Sequence, residues 1–204
     1  MADFKLFLPD LLKAEGGYQN KTTDRKGNTN SLGQMVGTKY GISAPVYETW
    51  IKRPPTVKDM QNLTLATATA IAKKLYWDKV NADNIQNQAL ANLIVDHYFN
   101  SGRTLFVKDV LKNKFGKNIA VNSQITRDTT TVINSVNQAL LFKELKASRE
   151  SFYKGIGGAN LKGWLNRLST FVFEEKKKTN QSRPTSFFWN IFNHNSNGTL
   201  FSKK

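Results

Sequence analysis

The stretch that decides the fold is Phe4-Lys5-Leu6-Phe7-Leu8-Pro9-Asp10-Leu11-Leu12-Lys13-Ala14-Glu15-Gly16-Gly17. Phe4, Phe7, Leu8, Leu11 and Leu12 recur at helical spacing, so one face is apolar. Asp3 is a suitable N-cap and Gly16-Gly17 a stop. Pro9 conflicts with this pattern, because a proline inside a helix removes a backbone bond. The helix therefore either begins near Leu8 or is kinked. Glu15 lies eleven residues after Phe4, and eleven steps of about 100° return it to nearly the same face. The apolar stripe thus ends in a carboxylate. An acid at the edge of an apolar surface is partly desolvated, which favours its protonated form.

Residues 18–42 are rich in Asn, Thr, Gly and Lys and read as turns and short strands. Further on, the apolar periodicity predicts helices over 43–60 (ended by Pro54-Pro55), 64–77, 86–99 and 103–115. Asp128 can cap another, running through Val132, Ile133 and Val136. A longer one follows from Ala139 to Phe152 and ends at Gly155, and a last one carries Leu161, Trp164, Leu165, Leu168, Phe171 and Val172. The fold class expected is α+β and mostly helical, with a small β-hairpin patch between helices one and two and a helical C-terminal extension. The organisation expected is a first domain over 1–87, a helical domain over 88–178 and a tail over 179–204, rich in Asn and Ser and bearing Phe187, Phe188, Trp189, Ile191 and Phe192. That aromatic cluster reads as a tail docked on the body or as an anchor at a membrane surface or partner.

The net charge is +15 over 204 residues. It is uneven: residues 1–102 hold 12 Lys/Arg and 9 Asp/Glu, and residues 103–204 hold 18 and 6. A basic field of this kind concentrates polyanions, either nucleic acid or an anionic envelope. No helix-turn-helix pattern, zinc spacing or RNP-like strand is visible, which argues against nucleic acid. There are no cysteines and two histidines, His97 and His194. Disulfides, thiol catalysis and a histidine-rich zinc site are therefore not expected, and neither is any other metal or cofactor. The N-terminus has no secretory apolar run, and no stretch is long enough to span a bilayer. The chain is expected to be made in the cytoplasm without an export signal.

Glu15 and Asp24 form a suggestive pair. Asp24 stands among Lys21, Arg25 and Lys26, which keep it ionised. One protonated and one ionised carboxyl in opposed environments is what glycoside hydrolysis by two carboxylates needs. Gly16-Gly17 leave room for a polymer beside the acid. Thr38, in Thr38-Lys39-Tyr40-Gly41-Ile42, offers a hydroxyl able to hold a water or the substrate. Tyr18 and Tyr40 are placed to stack on sugars. Trp77 and His97 read as core residues. Asp96 and Asn100, at i and i+4, either cap a helix end or bond to the first helix, or they face a cleft and bind sugar groups.

Glu15-Gly16-Gly17-Tyr18, Asp24 with Gly27, and Thr38-Lys39-Tyr40-Gly41-Ile42 together resemble the N-terminal signature of glycoside hydrolase family 108. Leu75-Tyr76-Trp77 and Asp96-His97-Tyr98-Phe99-Asn100-Ser101-Gly102 resemble its later segments. Arg149-Glu150-Ser151-Phe152-Tyr153 and Leu161-Lys162-Gly163-Trp164-Leu165-Asn166-Arg167 resemble its accompanying helical peptidoglycan-binding module. The resemblance implies a lysozyme-like fold and a muramidase cleaving the bond between N-acetylmuramic acid and N-acetylglucosamine. It also implies Glu15 as proton donor and peptidoglycan as the partner, met by a monomer released with the help of a holin or a secretion system. The family's Asp-Pro-Gly-Gly turn is replaced here by Asp24-Arg25-Lys26-Gly27, and about nine extra residues stand near Asn28–Gly37, so the loop beside the cleft is longer. A lytic transglycosylase and a non-catalytic wall-binding or secretion-assisting protein are the competing readings.

Overall fold

A computed structural model describes residues 1–14, 17–21 and 25–174. Glu15 and Asp24, together with the tail over 179–204, lie outside the described residues.

The described chain is mostly helical, as expected. Helix α1 (Phe4–Ala14) runs through Pro9 from Phe4. The Asp3 carboxylate caps it by accepting the Lys5 N–H at 2.8 Å. Its start is tied down by Ala2 N–H to the Ile85 carbonyl (2.7 Å) and Asp3 N–H to Gln88 Oε1 (2.7 Å). After the short α2 (Arg25–Asn28) come α3 (Ala44–Ile51) and α4 (Val57–Asn62). Pro54-Pro55 therefore separates two helices within the stretch expected as one. Thr56 and Asp59 form a reciprocal capping box that restarts the chain as α4.

Helix α5 (Leu65–Ala72) does not reach residue 77 as an α-helix, because Lys73–Trp77 widens into a π-helical turn. The widening sends Trp77 into the core, fully buried between Phe4 and Phe7, and leaves Tyr76 against Tyr98 and Phe99. The indole N–H donates to Asp83 Oδ1 at 2.6 Å. Helix α6 (Gln88–Ser101), capped by Asn87, is the axis of the molecule. It packs against α1, the π-helical turn and α9.

The remaining helices are α7 (Leu105–Phe115), α8 (Arg127–Ser135), α9 (Gln138–Ile156) and α10 (Leu161–Ser169). Thr126 caps α8 and Asp128 sits in its first turn. Helix α9 passes through Gly155 and is capped by Gly157. Helices α7, α8 and α10 all pack on α9.

One apolar core joins these parts. It runs from Ala2 and Phe7 through Leu90, Leu93 and Ile94 to Leu141, Leu145, Tyr153 and Leu168, so residues on both sides of position 87 share it. Beyond α10 the chain returns across this core. Phe173 packs on Phe142, and the Asn87 side chain donates to the Glu174 carbonyl at 3.3 Å.

Among the described residues, no β-hairpin ladder is formed where one was expected, between helices one and two. The segment after α1 holds three isolated antiparallel bridges, Gln19–Thr38, Thr29–Met35 and Lys39–Ile42, and no continuous strand among the described residues. Two buried asparagine side chains explain this, because they bond backbone groups that a strand ladder would pair. Asn30 Oδ1 accepts the N–H groups of Leu32 (3.1 Å) and Gln34 (3.0 Å), and its Nδ2 donates to the Pro55 carbonyl (2.9 Å). Gly33 and Gly37, with φ of +75° and +93°, interrupt any extended run.

Candidate functional site

The residues after Glu15 are held in place by the residues around Thr38. Gln19 and Thr38 exchange both backbone bonds, at 2.8 and 2.7 Å. The Tyr18 hydroxyl donates to the Val36 carbonyl at 3.1 Å, and its ring lies over Gly37. A Cβ at position 37 would come within 2.5 Å of Tyr18 Cε2 and 2.7 Å of the Gln19 carbonyl oxygen, so this close approach requires glycine.

Thr38 donates its single hydroxyl proton inward, to Asn28 Oδ1 at 2.8 Å and the Gly27 carbonyl at 3.2 Å. The lone pairs of that oxygen remain as acceptors. Tyr40 and Gly41 form the tight turn between Lys39 and Ile42. Tyr40 takes a left-handed φ of 51°, uncommon for an aromatic residue, and the Lys39 ammonium lies 5.1 Å from its ring centre. The half-buried Tyr40 ring packs on the cluster of Ile42, Leu63, Ala68 and Ile71.

The structure therefore gathers Tyr18, Thr38 and Tyr40 into one patch of loops. Glu15 and Asp24 border segments of this patch in sequence but are themselves outside the described residues. Phe99 packs on the same cluster as Tyr40, and Asn100 is its neighbour in sequence. Asn100 is exposed, and its Nδ2 donates to the Asp96 carbonyl at 2.7 Å.

Asp96 is placed differently from a sugar ligand. It is 2% exposed, and both carboxylate oxygens are occupied. One is paired with Arg149 Nη2, and the other accepts Arg167 Nε (2.9 Å) and Nη2 (2.6 Å). Arg149 is fully buried and also donates to the Tyr153 hydroxyl and the Leu93 carbonyl. The geometry gives Asp96 a structural place other than a helix cap: it fastens α6 to α9 and α10. The Arg149–Tyr153 and Leu161–Arg167 stretches thus spend three of their side chains, Arg149, Tyr153 and Arg167, on the protein's own core.

His97 is buried among Phe106, Phe152 and Tyr153, and its Nδ1 has no hydrogen-bond partner. Burial, followed by the Arg149 charge, lowers its pKa to about 3, so it is neutral at pH 7. Burial also pushes the Tyr76 phenol up to about 12, with Tyr98 adding to the effect. No group of three or more metal-ligating side chains occurs among the described residues. Among those residues, no helix is long and apolar enough to cross a membrane. An open groove between α7 and α9, of about 420 Å³, is lined by Asp109, Lys114, Glu144 and Ser148 among others, none of them in the loop patch.

Sequence reasoning missed Asn28 and Asn30, the two buried amides that organise the loops. In a segment full of asparagine, composition marks neither of them out. It also missed Glu48, whose Oε2 accepts the Ser31 N–H at 2.9 Å and steadies the longer loop.

A mostly helical body with a loop patch at the end of its first helix matches a class known by sequence: residues 8–102 fit a model of glycosyl hydrolases. The model is that of glycosyl hydrolase 108, and the match runs from within α1 to just past the end of α6. No curated protein matches the chain in sequence. Among solved structures, the chain is similar to SagA of Brucella abortus, with a TM-score of 0.68 and 23% identity over 81% of this chain and 89% of that one. At that identity the likeness is one of fold. It extends well beyond the stretch matched by the family model.

Proposed function

We propose that the protein is a muramidase that hydrolyses the β-1,4 bond between N-acetylmuramic acid and N-acetylglucosamine in peptidoglycan. The observation that carries this reading is the glycosyl hydrolase 108 match, because residues 8–102 contain Glu15, Asp24 and Thr38 together. Glu15, at the end of an apolar helix, holds a proton and gives it to the leaving glycosidic oxygen as the C1–O bond breaks. Asp24, ionised among basic neighbours, stabilises the positive charge developing at the sugar ring or activates a water. The Thr38 oxygen accepts a hydrogen bond from that water or from a sugar group. Tyr18, Tyr40 and Asn100 border the path of the glycan. The basic second half holds the enzyme on an anionic wall. A phage lysin, released across the inner membrane by a holin, is the setting we favour.

The test is incubation of the full chain and of Glu15→Gln with purified peptidoglycan, with soluble products read by mass spectrometry. Muropeptides with reducing muramic ends from the wild type, and none from Glu15→Gln, are expected. Anhydro-muramic ends identify a lytic transglycosylase instead. Sedimentation with the wall and no release identifies a binding protein.

A further inference from the structure

We propose that Asn28 is a positioning residue for this reaction, fixing the direction of the Thr38 hydroxyl. The proposal rests on the hydrolytic reading of Glu15, Asp24 and Thr38.

Asn28 is 2% exposed, although Arg25, Lys26 and residues 31–34 on either side of it face solvent. All of its polar side-chain capacity seen here points to the candidate site. Its Nδ2 donates to the Lys21 carbonyl at 2.7 Å, and its Oδ1 accepts the Thr38 hydroxyl at 2.8 Å. Its own carbonyl accepts the N–H groups of Val36 (2.7 Å) and Gly37 (3.0 Å). Lys21 stands just before residues 22–24, and α2, which Asn28 ends, begins just after them. A single amide therefore ties the Lys21 carbonyl to the side chain of Thr38.

Two chemical consequences follow. Residues 28 and 38 are neighbours in space although ten positions apart, so the intervening loop leaves the site intact. The Thr38 proton is also committed inward, which turns its outward lone pairs into a fixed acceptor. The amide supplies a donor to Lys21 and an acceptor to Thr38 at once, from two different atoms. A carboxylate keeps the acceptor but sets negative charge against a carbonyl oxygen, and a methyl keeps neither. Position 28 thus acts through Thr38 and need not touch the substrate.

The test is a double-mutant cycle on the full chain, using Asn28→Ala, Thr38→Val and the two combined. Rates are measured across concentrations of solubilised, uncross-linked glycan strands. The Val36 and Gly37 bonds reach the residue 28 main chain, so Asn28→Ala keeps the base of the loop, and a thermal melt checks that it folds. We expect kcat to fall roughly tenfold to a hundredfold with little change in KM, the scale of a misplaced catalytic group. In the Thr38→Val background, Asn28→Ala should cost little further kcat. Asn28→Asp, which retains the acceptor for Thr38, should recover part of the lost rate, and Asn28→Leu, which like alanine lacks both side-chain bonds, replaces Asn28→Ala in the cycle should that variant fail to fold.

An unchanged kcat with a lowered melting temperature overturns the proposal, since the amide is then only a brace. Losses that multiply in full also overturn it, since the two residues then act independently. These outcomes leave the hydrolytic reading standing, provided the wild type releases product and Glu15→Gln does not. No release by the wild type removes that reading, and this role with it.

Discussion

Replacing His97 by leucine should make the protein's stability less sensitive to acid. His97 is 2% exposed, ringed by Phe106, Phe152 and Tyr153, with no partner for Nδ1. Its pKa is lowered from 6.5 to about 3, first by burial and then by the Arg149 charge; Asp96 opposes the shift and Arg103 adds to it. The folded protein thus keeps the ring neutral while the unfolded chain protonates it below about pH 6.5. The unfolded state binds more protons throughout the window from about 6.5 to 3, so stability is full above this window and is lost as pH falls through it. For these two pKa values the linkage relation gives about 2 kcal/mol lost between pH 7.5 and pH 5. Urea unfolding of the wild type and of His97→Leu at both pH values measures the difference, because groups common to both proteins cancel. The wild type should lose about 2 kcal/mol more than the variant on acidification. Equal losses would mean that the imidazole is not held neutral in the fold, and would refute the reasoning.

Two further perturbations test the frame of the site. Asp96→Asn removes the charge that serves two guanidinium groups, one of them fully buried, and should destabilise the protein by about 3–5 kcal/mol in denaturant unfolding. A loss below about 1 kcal/mol would place Asp96 outside the structural role assigned to it. Gly37→Ala meets the Tyr18 ring and the Gln19 carbonyl at a φ of +93°, and should cost roughly 1–3 kcal/mol. It should also lower peptidoglycan release by shifting the segment that follows Glu15. A variant with wild-type stability would show that Tyr18 does not press on this glycine.

Much was legible in the sequence because it depends on local rules. The apolar period of Phe4, Phe7 and Leu8 marks α1, and the same rule finds α6, α7, α9 and α10 within a few residues. The stretch Glu15 to Ile42 carries enough fixed spacing to be recognised as a glycosyl hydrolase 108 segment, which the match over residues 8–102 bears out. Where a boundary was misplaced, capping chemistry decided it: the Thr56–Asp59 box opens α4 and Thr126 opens α8. The β-hairpin expected from Thr- and Gly-rich composition gave way to bridges, because Asn28 and Asn30 side chains satisfy the backbone in place of a ladder.

Only the tertiary structure decided what Asp96, Arg149 and Asn28 do. A carboxylate at the end of an amphipathic helix looks alike in sequence whether it faces a sugar or a guanidinium. Its fate was set by two arginines 53 and 71 residues away, brought to it by the packing of α9 and α10 on α6. Local periodicity specifies which face of a helix is buried, and so determined the elements of this protein. Contacts between distant residues depend on how those faces are assembled, and so the frame around Thr38 could be seen only in the folded chain.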